Sequence, residues 1–289
     1  MFRLARTTSQ WILLGLCLLL LPDGAWPNDQ TPPIKLAFGI VPQQFSTELV
    51  KKWEPLLRYL SQKTGYQIEF ETARDIPTFE QRLAAGQYDL AYVSPYTYTI
   101  VHKSPARYEA FAKEKGKKLV GIIVVAKDSP YQRLEDLRNQ TLAFPDAAAI
   151  AASIIPRAYF QKQGIPIKPV YVISHDSVYL SVANGLYPAG GGVMRTFETA
   201  DPAARARLRI LWTTPSYTPH PFIAHQRVSK QVIARLRAVM LAMDADPAAA
   251  ALLEKLALKG ISAAQDKDYN DIRALGLTIS DHLLKKAPN

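Results

Sequence analysis

His175, Asp176 and Ser177 are consecutive residues that carry the three side-chain types of a hydrolytic triad. A triad needs its histidine between nucleophile and acid in space, and three neighbours on one turn cannot adopt that arrangement. The five histidines, at 102, 175, 220, 225 and 282, show no metal-ligand spacing. The chain also lacks the phosphate-loop, dinucleotide and nucleophile-elbow glycine motifs. The sequence therefore predicts a binding protein, not an enzyme, with no metal site and no cofactor.

Polar and small residues follow four predicted strands, in loops at 42–45, 94–96, 145–149 and 174–177. In open α/β sheets, ligands bind beyond the carboxyl ends of the strands. Three of these loops enter a helix, and a helix N-terminus can bind an anion through its free N–H groups. The candidate ligand-binding residues from these loops are Gln43, Ser94, Tyr96, Ala148, Ala149, His175 and Asp176.

Several of these residues also fit a purely structural role. Ser94 could be only a helix N-cap, with Pro95 at the first helical position. His175 at a strand end fits a hydrogen-bonded loop histidine as well as a ligand donor. Tyr92 lies on a strand, where core packing is favoured over ligand contact, and Tyr96 has a better claim to the cleft than Tyr98.

Alternating apolar residues and helix signals predict a β-α-β-α-β run between residues 34 and 93. Its first helix has Ser46 as a candidate N-cap and Gly65 at its end, and Pro55 predicts a kink or a late start. The run consists of strands at 34–42, 66–73 and 88–93, with helices at 46–65 and 77–86.

A second run of the same order lies at residues 141–192. Its first helix, 146–164, begins at an Asp146 N-cap and is interrupted around Pro156. The segments LAAGQYDLAYV and SVANGLYPAGGGV mark matching positions in the two runs. Further strands are predicted at 118–127, 207–215 and 221–228. This pseudo-repeat predicts an α/β protein with two lobes, each a mostly parallel sheet flanked by helices, and a ligand cleft between them.

The N-terminus of the 289-residue chain resembles a secretory signal peptide, residues 1–25, with an apolar run at 11–21 after two arginines. An uncleaved anchor is the alternative; a lipoprotein is disfavoured because Leu16 precedes Cys17. Cleavage would give a periplasmic protein without cysteine and with 33 basic against 24 acidic residues, a net charge of +9. These charges are scattered and no nucleic-acid-binding motif is present, so nucleic acid is not an expected partner.

Six segments together resemble the periplasmic substrate-binding proteins of phosphate, phosphite and phosphonate ABC transporters, which have the type II periplasmic-binding-protein fold. They are FGIVPQ, W-x-PLL-x-YLS-x-KTG, LAAGQYDLAYVSP, VVAKDSP-x-x-x-LEDLRNQTLAF, SHDSVYLSVANG and ILWTTP-x-x-x-x-x-PF. The resemblance implies a first lobe at 26–122 and 216–289 and a second at 123–215. Crossover strands near 122–127 and 212–222 would let the lobes close like a hinge.

The same resemblance implies a monomer that captures a small anionic ligand and delivers it to an ABC transporter permease. A periplasmic receptor that presents its ligand to a membrane sensor kinase is the alternative. An enzyme on this fold is a third possibility, for which only His175 and Asp176 are available.

Departures from the family pattern indicate a different ligand. The family's D-P-x-S-T-S-G loop corresponds to 146–152, which here has no hydroxyl side chain and places Ile150 in the candidate site. Asp75-Ile76 stands for an Asp-Tyr pair, and glycines 190–192 stand where a carboxylate or amide is usual. Each lost charge-assisted hydrogen bond is worth about 1.5–3 kcal/mol. We therefore expect a less hydrophilic anion or a small apolar–polar molecule, with Arg195 or His175 supplying charge.

Overall fold

A computed structural model describes residues 33–278, which belong to one compact unit of the chain. Eleven strands form two sheets within this part. They are β1 (Lys35–Ile40), β2 (Gln67–Glu71), β3 (Leu90–Tyr92), β4 (Tyr108–Glu114), β5 (Gly121–Ala126), β6 (Thr141–Phe144), β7 (Lys168–Tyr171), β8 (Ala189–Val193), β9 (Leu208–Thr213), β10 (Pro221–His225) and β11 (Ile261–Ala263). The predicted signal peptide lies outside the described residues.

Ten α-helices accompany the strands in this part of the chain. They are α1 (Ser46–Thr64), α2 (Ile76–Ala84), α3 (Pro95–Val101), α4 (Ile155–Lys162), α5 (His175–Ala183), α6 (Met194–Glu198), α7 (Pro202–Ala206), α8 (Lys230–Leu241), α9 (Pro247–Lys255) and α10 (Asn270–Arg273). A π-helical turn, Ile150–Ile154, leads directly into α4. From residue 33 to 278, no helix has both the length and the apolar character needed to cross a membrane.

The two predicted β-α-β runs are present, and each builds one half of a sheet. The first sheet has the order β11-β4-β10-β3-β1-β2 and the second the order β7-β6-β8-β5-β9. In both, the three strands of the run pair in parallel and an antiparallel strand follows, β10 against β3 and β5 against β8. The predicted α/β fold class with two helix-flanked sheets is therefore confirmed, but the sheets are mixed and not mostly parallel, since three of five strand pairings in the first sheet and two of four in the second are antiparallel.

Matching glycines end the helices that precede β3 and β8. Gly86 follows α2 with φ +69° and Gly185 follows α5 with φ +73°. Glycine adopts this left-handed conformation without steric cost, so each helix can stop and turn back into a buried strand. These two positions explain why the AxG and ANG segments recur in the two halves of the sequence.

The chain passes from the first sheet to the second at residues 115–120 and returns at 214–220. The two crossovers run side by side, since the N–H groups of Leu119 and Tyr217 donate to each other's carbonyl oxygens at 2.8 and 2.9 Å. Close by, Thr214 Oγ1 accepts a hydrogen bond from the N–H of Gly121 at 2.9 Å. Two narrow connections of this kind form the route between the sheets.

The Ser46 N-cap prediction was wrong, the alternative of a late start at Pro55 did not occur, and strand β4 was missed. Phe45, not Ser46, precedes α1 as its N-cap residue, and the helix continues through Pro55. Strand β4 was not predicted, because a bulge at Phe111 breaks its alternation: Phe222 pairs with Ala112 and Ile223 with Ala110. Phe111 and Ala112 are consequently both buried.

The predicted helix 146–164 begins later than expected. Asp146 Oδ1 accepts a hydrogen bond from the N–H of Ala148 at 2.7 Å and so stabilises a turn instead of capping a helix. Helical structure starts at Ile150, and the N–H of Ile155 donates to the Ile150 carbonyl five residues earlier. Pro156, which has no N–H to donate, follows this change of register.

Candidate functional site

A small cavity lies between the two sheets at the carboxyl ends of their parallel strands. Its volume is about 20 Å³, which is of the order of a single water molecule. A larger ligand therefore requires its walls to move apart. The lining residues are Gln43, Ile76, Ser94, Leu119, Ala148, Ala149, Ile150, Ala151, Ala152, His175, Val193 and His220.

Ser94 contributes the hydroxyl of the first wall and is also the N-cap of α3. Its Oγ accepts a hydrogen bond from the N–H of Thr97 at 3.0 Å and lies 2.7 Å from Thr97 Oγ1. Thr97 in turn donates to Glu80 Oε1 at 2.7 Å. The two interpretations left open for Ser94 are thus compatible, because one side chain both caps the helix and lines the cavity.

The second wall is the backbone of residues 148–152. Ile150, Ala151 and Ala152 begin a helical segment, and the first N–H groups of a helix have no intrahelical acceptor. Their side chains offer only hydrocarbon. Any polar contact on this wall must therefore come from backbone N–H groups.

Two glycines let this wall lie directly on the second sheet. A Cβ at Gly121 of β5 would stand 2.0 Å from the Ala151 carbonyl oxygen. A Cβ at Gly191 of β8 would stand 2.0 Å from the Ala152 carbonyl oxygen. The glycine-rich strand β8 thus allows close backbone packing against this wall.

Gln43 joins three parts of the site. Its Oε1 accepts a hydrogen bond from Arg195 of α6, and its Nε2 lies 3.2 Å from His220 Nε2. Arginine can only donate, so the amide must direct its oxygen to Arg195 and its NH₂ to His220. His220 Nε2 is therefore an acceptor. The Gln43 carbonyl also accepts the N–H of His175 at 2.9 Å, which ties the loop after β1 to the start of α5.

Both histidines of the cavity are buried and neutral. Burial, with the nearby Arg195 charge adding to it, lowers the pKa of His175 to about 3. The same two causes, followed by the repulsion that a protonated His175 would exert, hold the pKa of His220 well below its usual value. A positive charge close to the cavity is that of Arg195, which donates to the lining residue Gln43 and whose guanidinium carbon lies 5.5 Å from the centre of the Tyr92 ring.

One ring nitrogen of His175 is hydrogen-bonded, and the other has no partner among the described residues. Its Nδ1 lies 2.7 Å from Thr196 Oγ1. Its Nε2 is inaccessible and has no hydrogen-bond partner among the described residues, although the residue lines the cavity. A buried polar atom without a partner is costly unless a ligand or water supplies one. This atom is the clearest polar anchor that the cavity offers.

Three predicted site residues lie outside the cavity lining. Tyr96 is buried, and its carbonyl accepts the Thr99 hydroxyl at 2.8 Å. Arg195 lies behind Gln43. Asp176 faces a separate groove of about 400 Å³ between α1 and the α5–α7 region. Its carboxylate accepts hydrogen bonds from Phe45 N–H at 2.8 Å and Gln44 Nε2 at 3.2 Å.

Lys52 makes the opposite connection across the same groove. Its Nζ, from α1, donates to the Thr199 carbonyl at 2.8 Å and to Gln44 Oε1 at 3.3 Å. Burial lowers the pKa of Lys52 and raises that of Asp176. Two partly buried charged side chains thus cross the groove. Lys52 of α1 hydrogen-bonds the backbone at Thr199, and Asp176 of α5 hydrogen-bonds the backbone at Phe45.

Six lining residues were not predicted as site residues: Ile76, Leu119, Ala151, Ala152, Val193 and His220. Ile76 was noted only as a departure from the family pattern. His220 and Leu119 lie in the crossovers, which the loop rule for parallel strands does not cover. Val193 ends β8, a strand end that the rule does cover. Throughout residues 33–278, no three His, Cys, Asp or Glu residues are grouped to bind a metal ion.

Comparison with known proteins shows that this chain is similar to transport proteins. A family model described as "ABC transporter, phosphonate, periplasmic substrate-binding protein" matches residues 38–269. The phosphate-import protein PhnD of Mycolicibacterium smegmatis is 24% identical over 236 residues, which cover 74% of this chain and 73% of that protein.

Two solved structures share the fold. The binding-protein component of an ABC phosphonate transporter from Pseudomonas aeruginosa has a TM-score of 0.76 and 23% identity, with 85% of this chain and 86% of that chain covered. PhnD1 from Prochlorococcus marinus in complex with methylphosphonate has a TM-score of 0.76 and 18% identity, with 86% and 100% covered. The likeness shows the type II periplasmic-binding-protein fold.

Proposed function

Because the chain belongs to the periplasmic substrate-binding proteins of phosphonate ABC transporters, we propose that its cavity binds a small monoanion that carries an apolar substituent. The family's role is to capture a solute in the periplasm and deliver it to the importer's permease. The relatives named above import phosphate or bind methylphosphonate. The ligand of this chain differs from theirs in charge and hydration.

The composition of the two walls carries this proposal. A dianion needs several charge-assisted hydrogen bonds to replace its water, each worth about 1.5–3 kcal/mol. The alanine wall supplies no hydroxyl, the two histidines are uncharged, and Arg195 already donates to Gln43. Backbone N–H groups and one imidazole suit a single negative charge, and Ile76, Leu119 and Ile150 suit hydrocarbon.

The charged headgroup would lie between His175 Nε2 and the N–H groups of residues 150–152. Gln43, Ser94, Ala148 and Ala149 complete its surroundings. Tyr96, Asp176 and Arg195, which do not line the cavity, would act on the ligand indirectly. Arg195 would do so by fixing the Gln43 amide and by its long-range charge.

Opening of the cleft would follow from the paired crossovers. We place the hinge at residues 115–120 and 214–220, close to the lobe boundaries that the sequence suggested, 26–122 and 216–289 against 123–215. A cavity of about 20 Å³ admits a sulfonate or phosphonate only if the lobes separate about this hinge. Export by a cleaved segment at 1–25 and a monomeric state complete the proposal.

Isothermal titration calorimetry against two matched ligand series tests it. The first series is phosphate, phosphite and methylphosphonate, and the second is methane-, ethane- and butanesulfonate. We expect sulfonates to bind more tightly than phosphonates, with affinity rising as the alkyl chain adds apolar contact. His175→Ala should abolish binding, whereas a control variant, His102→Ala, should not affect it because His102 does not line the cavity. Micromolar binding of a phosphonate, with weaker sulfonate binding, would overturn the altered-ligand proposal.

A further inference from the structure

His175 is held by a buried chain of hydroxyl groups behind the cavity. Its Nδ1 lies 2.7 Å from Thr196 Oγ1, and Thr196 Oγ1 lies 2.9 Å from the Tyr179 hydroxyl. Tyr179 accepts the N–H of Val193 at 3.3 Å and lies 3.2 Å from the Val193 carbonyl. His175, Thr196 and Tyr179 are each at most 1% exposed, so no solvent competes for these contacts.

The protons shared among these hydrogen-bonded side chains allow two tautomers of the His175 imidazole. Thr196 has one hydroxyl proton, which can go to His175 Nδ1, to the Val193 carbonyl at 3.1 Å or to the Tyr179 oxygen at 2.9 Å. If it goes to Nδ1, the imidazole carries its own proton on Nε2. If it goes to Val193 or Tyr179, the imidazole proton lies on Nδ1 and Nε2, the nitrogen without a partner within residues 33–278, is an acceptor.

Two observations favour the first tautomer. The Nδ1–Oγ1 distance of 2.7 Å lies in the middle of the range of about 2.5–3.0 Å for a hydroxyl donor and at the short limit of about 2.7–3.2 Å for an N–H donor. In addition, Tyr179 can satisfy the Val193 carbonyl, which leaves the Thr196 proton free for the imidazole. An anionic oxygen can only accept, so it too requires a proton on Nε2.

We propose that Thr196, supported by Tyr179, is a positioning residue that fixes His175 as the Nε2–H tautomer and directs that proton at the ligand. The ligand in this inference is the one named in the proposed function, whereas the tautomer does not depend on that function. It makes Thr196 a determinant of specificity without ligand contact. A site set in this way favours a deprotonated acid group over an alcohol or an undissociated acid of the same shape.

The tautomer can be read directly by ¹⁵N NMR of imidazole-labelled protein, with His175→Gln identifying the signal. In the wild-type protein without added ligand, we expect a pyridine-type shift at Nδ1 and a pyrrole-type shift at Nε2. The near-isosteric Thr196→Val removes the donor and should abolish this preference. Thr196→Ser keeps the hydroxyl and should restore it. A protonated Nδ1 in the wild-type protein would overturn the proposal.

Binding supplies the second readout, with methanesulfonate or the tightest member of the calorimetry series as the probe. Thr196→Val should weaken binding about tenfold, the loss expected for one hydrogen bond of about 1.4 kcal/mol. Thr196→Ser should remain within about threefold of the wild type. If Thr196→Val and the wild type bind the probe with equal affinity, the inference is overturned.

The two proposals fail in different ways. If no member of either series binds, the proposed ligand class is wrong, while the NMR result without ligand still decides the role of Thr196. If Thr196→Val does not fold, the wild-type tautomer and the serine variant decide it alone.

Discussion

The carboxylate of Asp176 accepts the backbone N–H of Phe45 at 2.8 Å, so the start of α5 is bonded to the start of α1 across the cleft. Lys52 returns the connection by donating to the Thr199 carbonyl at 2.8 Å. These contacts join the two sheets away from the crossovers. Asp176, which the sequence predicted as a ligand contact, therefore lies where it can hold the cleft closed.

Asp176→Ala should open the cleft. It removes the charged acceptor of the Phe45 N–H, and a hydrogen bond to a charged group contributes about 1.5–3 kcal/mol to the closed form. We expect a larger radius of gyration in small-angle X-ray scattering, together with weaker ligand binding. Asp128→Ala, at an exposed turn, serves as the control and should leave the scattering unchanged. Identical scattering curves for Asp176→Ala and wild type would show that this contact does not hold the cleft closed.

Gly191→Ala should displace the alanine wall. The new Cβ would lie 2.0 Å from the Ala152 oxygen and 2.5 Å from Phe144, and overpacking of this kind typically costs about 1–3 kcal/mol. Chemical denaturation would measure the loss, and calorimetry should show weaker binding. Gly65→Ala is the control, since φ there is +76° but no atom lies within 4 Å. It should destabilise the fold by about 1 kcal/mol without changing ligand affinity.

Hydroxyls restored to the alanine wall should restore phosphonate binding. Ala149 and Ala151 both line the cavity and are buried. In the double variant Ala149→Ser/Ala151→Ser, two charge-assisted hydrogen bonds should strengthen methylphosphonate binding roughly 100-fold or more. Ala147→Ser, exposed in the same loop, should have no effect. Unchanged methylphosphonate affinity in the double variant would mean that the missing hydroxyls do not set the ligand preference.

Glu114 should make the stability of the protein fall as pH rises. Burial raises the pKa of this carboxyl to about 7, with the charge of Arg195 as the largest opposing influence. The folded state thus binds more protons than the unfolded state between the unfolded pKa, about 4.3, and about 7, and the free energy of unfolding decreases through that range.

Glu114→Gln should remove this dependence and add about 3 kcal/mol to the free energy of unfolding at pH 8 relative to wild type. Urea denaturation at pH 5 and pH 8 measures both values. The exposed Glu254→Gln should keep the wild-type slope. A Glu114→Gln protein that loses stability between pH 5 and 8 as much as the wild type would assign the slope to other groups.

The sequence predicted the parallel half of each sheet because alternation, capping signals and terminal glycines agree there. It failed at β4, where the bulge at Phe111 puts two successive residues in the core. It also failed at residues 146–154, where the chain is shaped by contact with Gly121 and Gly191 of distant strands. Both failures come from tertiary contacts that no local pattern records.

The sequence predicted part of the candidate site and missed the rest. Gln43, Ser94, Ala148, Ala149, Ile150 and His175 were predicted from strand-end positions and the family loop, and all line the cavity. His220 was missed because it lies on a crossover. Asp176 lines the neighbouring groove and not the cavity, because neighbours on a first helical turn point in different directions. Sequence position identifies the end of the sheet at which a residue lies, whereas side-chain direction depends on the packed helix.

Strand β10 has a consequence for how the protein is made. It lies between β3 and β4, yet Phe222 pairs with Ala112 across 110 residues of sequence, and all five strands of the second sheet lie within that interval. During synthesis, all strands of the second sheet can therefore pair before β10 is available to pair with β3 and β4. We expect the nascent chain to depend on chaperones most in this interval, when two apolar strand edges are exposed.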